Sequence, residues 1–337
     1  MRIFIAGATG ALGSRLVPLL TEAGHKVFGS SRNEVGRAAI DAQGATGIVM
    51  DPLDADSVRG AVAEAKPDVI VHQLTALSAM TGNMKKWDRD FAMTNRLRTE
   101  ATDHLLAAAR ATGVRRFVAQ SYGGHWTNQR TGGPVKTEVD PLVEDPGKEA
   151  RQSLRAIKHV EEAVTTAPGI EGVVLRYGNF YGPGNALSRN GEMGEMVRRA
   201  KFPVVGGGAG VWSWIHIDDA ATATVAAIER GAPGIYNVVD DDPAPIAEWL
   251  PYLAEQLGGK RPMRLPAWLA RPLIGQYGVA LMTTVRGSSN AKAKRELGWT
   301  LRYPSWREGF AAAYGQTAPS PTRHDQGERL ADHPELA

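Results

Sequence analysis

The sequence predicts an α/β fold, a doubly wound parallel sheet with a smaller C-terminal lobe. Three observations carry that expectation. The first thirty-odd residues read as strand, glycine-rich turn, helix and strand. Further short apolar runs recur at 47–53, 68–74 and 114–121. Helical patterns separate them, as parallel strands joined by crossover helices require. The length of 337 residues allows one or two domains, and the 43% hydrophobic and 22% charged fractions are ordinary for a globular chain.

Arg2-Ile3-Phe4-Ile5-Ala6 is the first strand, and Gly7-Ala8-Thr9-Gly10-Ala11-Leu12-Gly13 follows it directly. A helix is expected over 14–23, kinked at Pro18, whose missing N–H cannot reach the Ser14 carbonyl. A second strand starts at Lys26. The Gly-x-x-Gly-x-x-Gly spacing aims several backbone N–H groups at one place where a helix begins. There the free amides and helix dipole favour an anion, typically the pyrophosphate of a dinucleotide. Gly7, Thr9, Gly10, Ala11, Leu12 and Gly13 are therefore expected cofactor contacts. After the second strand comes Ser30-Ser31-Arg32-Asn33, with no carboxylate to hold a ribose 2′-hydroxyl. Hydroxyls and a guanidinium suit a 2′-phosphate, so Ser31 and Arg32 point to NADP, with NAD as the alternative.

The third strand ends at Asp51-Pro52-Leu53, near the adenine in a Rossmann-type sheet. Asp51 either accepts from the adenine amino group or belongs to a turn before the next helix, 54–65. The apolar strand 68–74 ends at Leu74-Thr75-Ala76, on the edge facing the cofactor crevice. His72 lies inside that run and reads as a hydrogen-bonded core histidine. A helical region over 87–112 stops at Gly113 before the strand that ends in Ser121.

Composition narrows the function classes. A net charge of only +3 supplies no concentrated basic surface for nucleic acid. The absence of cysteine excludes disulfides, thiolate metal sites and a thiol nucleophile, and it is compatible with a cytoplasmic setting. No apolar run reaches membrane-spanning length, and a strand starting at residue 2 leaves no space for a leader. No metal site is expected. The stretch 316–337 lacks apolar periodicity and reads as a disordered tail.

Later motifs complete a pattern. They are Val174-Leu175-Arg176-Tyr177-Gly178-Asn179-Phe180-Tyr181-Gly182-Pro183-Gly184, Trp214-Ile215-His216-Ile217-Asp218-Asp219-Ala220, Ile235-Tyr236-Asn237-Val238 and 291–299. With the glycine turn and the strand ending in Ser121, the chain resembles the extended short-chain dehydrogenase/reductase superfamily over about residues 1–312. The resemblance implies a Rossmann domain over 1–180, joined again by 211–240, and a substrate-binding lobe from 181–210 and 241–315. It also places Tyr177 and Asn179 beside the cofactor.

Enzymes of that superfamily carry a Ser or Thr after the fifth strand and Tyr-x-x-x-Lys on the next helix. The phenol acts as general acid/base, and the lysine lowers its pKa. Ser121 matches the hydroxyl, and Lys158 the lysine, which also meets the ribose. The position four residues before Lys158 is Leu154, which cannot move a proton. Tyr122 is a substitute phenol, although adjacent strand residues face opposite sides. Other routes are a proton from substrate or water, or a dinucleotide bound without turnover.

Trp212 and Trp214 stand where a diphosphate-clamping arginine is expected in the sugar-nucleotide enzymes of the superfamily, with Arg198, Arg199 and Arg286 left as alternative clamps. Together with Trp126 and Tyr181 the two tryptophans suggest a flat or apolar small-molecule substrate, or simple packing. The apolar segment 262–284 reads as a lid, a homodimer contact or core, and 123–147 as a flap over the site. The leading expectation is an NADP-dependent oxidoreductase or epimerase acting on a small carbonyl or hydroxyl compound. The alternatives are a lyase, dehydratase or cyclase on the same fold, and a non-catalytic dinucleotide sensor.

Overall fold

The computed structural model describes residues 1–77, 84–123, 133, 135–188 and 191–315. Its centre is a seven-stranded parallel sheet of β1 (Arg2–Ala6), β2 (Lys26–Ser31), β3 (Thr46–Val49), β4 (Val69–His72), β5 (Arg116–Tyr122), β6 (Glu171–Tyr177) and β7 (Gly234–Val238). The spatial order is β7-β6-β5-β4-β1-β2-β3. Sequence direction reverses between β1 and β4, and such a switch point opens a crevice beyond the carboxyl ends of the strands. Every residue of β4 is buried, which explains its unbroken apolar run.

Crossover helices cover both faces. α1 (Gly13–Glu22) buries Leu16, Val17 and Leu20 and carries Pro18 inside it. α2 (Glu34–Asp41) is capped by Asn33, whose side chain accepts from the Gly36 amide. α3 (Ala55–Ala65) is capped by Asp54. The region expected as one helix over 87–112 is a single turn, Trp87–Asp90, and then α4 (Ala92–Thr112). α5 (Arg151–Thr165) begins three residues after Lys148, where the sequence pattern predicts the start of a helix over 148–165. Its start is set by Asp88, which accepts from the amides of Gln152 and Ser153 at 2.8 Å each. That cap comes from a distant segment, so no local signal announces it.

After β6 the chain adds α6 (Glu192–Arg198), α7 (Ile217–Arg230), α8 (Ile246–Gln256), α9 (Ala267–Thr283), α10 (Ala291–Leu297) and α11 (Trp306–Tyr314); α7 and α10 pack with the sheet, α7 against α1, and the other four build the lobe. The first turn of α7 is capped by His216, which accepts from the Asp218 amide. Asp219 instead accepts from the amides of Arg302 and Tyr303, tying the later chain to the helix start. Trp212, Trp214 and Trp249 pack with ring centroids 4.8–5.8 Å apart in the lobe core. In α9, Gly275 adopts φ +76 and breaks the helix. Tyr277, Leu281 and Met282 are buried on one side, while Trp268 and Leu273 are exposed on the other.

Candidate active site

The glycine turn is tight. A Cβ on Gly13 would collide with the Gly7 carbonyl oxygen, and Gly7 itself takes φ +94. Only glycine permits both the approach and the left-handed backbone. The turn leaves the amides of Ala11, Leu12 and Gly13 without an acceptor among the described residues, at the N-terminus of α1. That donor set fits a dinucleotide pyrophosphate.

At the end of β2, Ser31 is buried and Arg32 exposed, with no ion pair to Arg32 among the described residues. The nearest following acid, Glu34, is engaged by Arg37. The position is therefore open to a phosphate and offers no carboxylate to a ribose. Asp51 is exposed and accepts from the Leu53 amide at 2.9 Å, with Pro52 buried beside it. Leu74, Thr75 and Ala76 continue from β4 at partial burial. The Ala76 amide is held by Thr94 Oγ1 of α4 at 3.0 Å.

Below that edge, His72 is a buried neutral imidazole. Its Nδ1 accepts from the Leu74 amide, and its Nε2 faces the Leu97 carbonyl and Thr102 Oγ1. Burial holds it down at about 4.

At the end of β5 the two neighbouring residues part. Ser121 is fully buried and its Oγ donates to Glu161 Oε1 at 2.8 Å. Arg176, its register partner on β6, donates to Glu161 through Nε at 2.7 Å and Nη2 at 2.6 Å. Both oxygens of Glu161 are thus in use within a closed, buried network.

Tyr122 faces the lobe, half-buried against its core, and donates to Asn179 Oδ1 at 2.7 Å. Asn179 in turn donates to the Ser213 carbonyl. Burial pushes the Tyr122 phenol well above its usual range, with nearby Arg98 opposing the shift.

The inward face of α5 carries Ser153, Leu154, Ile157 and Glu161, all buried. Leu154 and Ile157 belong to the lobe-side core, and Ser153 accepts from Asn95 Nδ2 at 3.2 Å. Lys158 lies on the exposed side of the same helix, so the structure does not bring its ammonium to Ser121. Tyr177 is buried and hydrogen-bonded to Thr224 and Gln73. Tyr181, Trp212 and Trp214 are core residues at 0%, 6% and 1% exposure, so they line the lobe interior rather than a cleft wall. Trp126 and the tail lie outside the described residues, as do 124–132 and 134 of the expected flap.

One residue escapes the sequence reading. Arg98, on the inward face of α4, is 5% exposed and lies within electrostatic reach of Tyr122, Tyr277 and Glu161. The available signal was its phase. Asn95, Ala101, Thr102 and Leu105 share that buried face, so a charge there is out of place.

Among the described residues no acidic or histidine cluster could hold a metal, and no helix is long and apolar enough to cross a membrane. A family model described as the NAD dependent epimerase/dehydratase family matches residues 3–238. A 3-diazoavenalumate denitrifying reductase from a Streptomyces species is 44% identical over 92% of this chain and 99% of its own length. Among solved structures, UDP-glucose 4-epimerase of Thermus thermophilus, in complex with NAD, matches at TM-score 0.71 and 24% identity, covering 93% of this chain and 98% of that one. A human epimerase family protein with NADPH matches at TM-score 0.70 and 19% identity, over 93% and 99% of the two chains. The chain belongs to the NAD dependent epimerase/dehydratase family and is an NAD(P)-dependent oxidoreductase of the extended short-chain dehydrogenase/reductase type.

Proposed function

We propose that this protein is an NADPH-dependent reductase that replaces the diazo group of a small aromatic compound by hydrogen, releasing dinitrogen. The observation that carries the reading is the lack of an available proton-transfer group on the inward face of α5. Ser153, Leu154 and Ile157 stand there, Glu161 is held by Arg176 and Ser121, and Lys158 is turned to solvent. Carbonyl reduction generates an alkoxide that needs an acid within hydrogen-bond reach. The Tyr122 phenol is a poor candidate, since its proton is committed to Asn179 and burial pushes its pKa up.

Reductive loss of a diazo group makes no such demand. A bound reduced nicotinamide supplies the hydride. The hydride electron pair becomes the new C–H bond, the C–N pair leaves with dinitrogen, and no proton is added or removed. The 44% identical relative, named for this type of reaction, supports the same reading.

In this reading Gly7 to Gly13 hold the pyrophosphate, Ser31 and Arg32 the 2′-phosphate, and Asp51 to Leu53 and Leu74 to Ala76 flank the adenosine half. Tyr122 and Asn179 form the wall beside the substrate, while Ser121 positions the end of β5 through Glu161. The substrate is a small molecule rather than a nucleotide sugar. The segment before α7 is filled by buried tryptophans, and Arg198 and Arg199 are paired with Glu195. The test is NADPH oxidation with 3-diazonio-4-hydroxybenzoate, following absorbance loss and evolved dinitrogen against an enzyme-free control. One dinitrogen per NADPH is expected. Turnover of simple ketones but not of the diazonium would overturn the reading.

A further inference from the structure

We propose that Arg98 is the anchor for an anionic group, a carboxylate, on the substrate. The proposal rests on reading the space beyond β5 as the substrate site, and it adds the charge that the substrate must carry.

Arg98 is nineteen-twentieths buried, and its guanidinium makes no hydrogen bond or ion pair with any described residue. The acid nearest by charge is Glu161. Both of its oxygens are already taken by Arg176 and Ser121. Arg98 is therefore left without a carboxylate of its own. A buried charge without a partner is costly, and proteins retain one where a ligand supplies the counter-charge. Burial lowers the Arg98 pKa only to about 10, so the cation persists at neutral pH.

Its position is suited to substrate. α4 begins beyond the carboxyl end of β4, where Thr94 holds the Ala76 amide and Leu97 faces His72, the last residue of that strand. Arg98 thus stands at the level of the strand ends, within electrostatic reach of Tyr122 from β5 and Tyr277 from α9 of the lobe. A guanidinium binds a carboxylate through two parallel hydrogen bonds. The anchor lies on a helix of the sheet layer while Tyr277 belongs to the lobe, so an aromatic acid would bridge the two.

The test uses the full-length protein saturated with NADP, titrated by calorimetry with 4-hydroxycinnamate and with its methyl ester. The acid should bind at least about tenfold more tightly than the ester, and Arg98→Met should remove that preference while changing NADP affinity less than about twofold. Should Arg98→Met fail to fold, Arg98→Lys serves, with a reduced but surviving preference for the acid. The wild-type comparison needs no variant. Equal affinity for acid and ester, or no binding of the acid at millimolar concentration, overturns the proposal. An acid preference unchanged in Arg98→Met also overturns it. Failure of diazonium turnover with the acid preference intact would refute the proposed reaction and leave the anchor standing.

Discussion

Removing the carboxylate of Glu161 should destabilise the protein more than most single substitutions. Glu161 and Arg176 are 5% and 4% exposed, and three hydrogen bonds of 2.6–2.8 Å converge on the two carboxylate oxygens. Glu161→Ala leaves Arg176 buried without a counter-charge and Ser121 without an acceptor. Breaking a buried pair from one side costs about 3–5 kcal/mol, chiefly from the charge left behind. At about 2.1 cal/mol/K per residue, roughly 300 described residues give an unfolding entropy of ~0.63 kcal/mol/K, so Tm should fall by about 5–8 °C. Differential scanning calorimetry at pH 7.5 reads this directly. The double variant with Arg176→Met removes the orphaned charge and should recover at least half of the loss. A drop of less than ~2 °C in Glu161→Ala, or no recovery in the double variant, would refute the account of this network.

Two further predictions concern the cofactor and pH. Arg32→Ala should weaken NADPH binding by about tenfold or more and leave NADH nearly unchanged, because a charge-assisted contact to phosphate is worth about 1.5–3 kcal/mol. Fluorescence titration of both nucleotides checks this, and equal losses would remove the 2′-phosphate assignment. Burial holds the folded pKa of His72 at about 4, below its usual 6.5. The unfolded chain therefore takes up a proton between those values that the folded chain refuses. The stabilisation is complete above pH 6.5 and is lost as pH falls towards 4, by up to about 3 kcal/mol. His216 is shifted in the same direction by burial. Tm should decline between pH 7 and 5, more shallowly in His72→Asn. A flat profile would contradict the buried neutral imidazole.

The cofactor half of the site was legible in the sequence because its determinants are local. Gly7 and Gly13 must be glycine for reasons fixed within seven residues, and the missing acid after β2 is visible by inspection. The other half depends on which side of a helix faces inward. Lys158 attracts attention as the lysine of a four-residue spacing, yet the phase of α5 follows Glu161, which turns in to meet Arg176 on a strand fifteen residues away. An acid on the apolar face of an amphipathic helix, with an arginine inside the next strand, was the sequence signal of that phase. Trp212 and Trp214 look like exposed recognition groups only until Trp249, far along the chain, closes over them. Arg98 was hidden for the same reason. A helix of 21 residues with charges on several faces does not disclose which charge is buried until its neighbours are known.

The central claim is reduction without proton transfer, and isotope placement tests it most directly. With 4,4-dideuterated NADPH in ordinary water, the arene formed from 3-diazonio-4-hydroxybenzoate should carry one deuterium at the former diazo carbon. With ordinary NADPH in deuterium oxide that carbon should carry none. Deuterium arriving at that carbon from solvent, or no arene formed while ketones are reduced, would contradict the account.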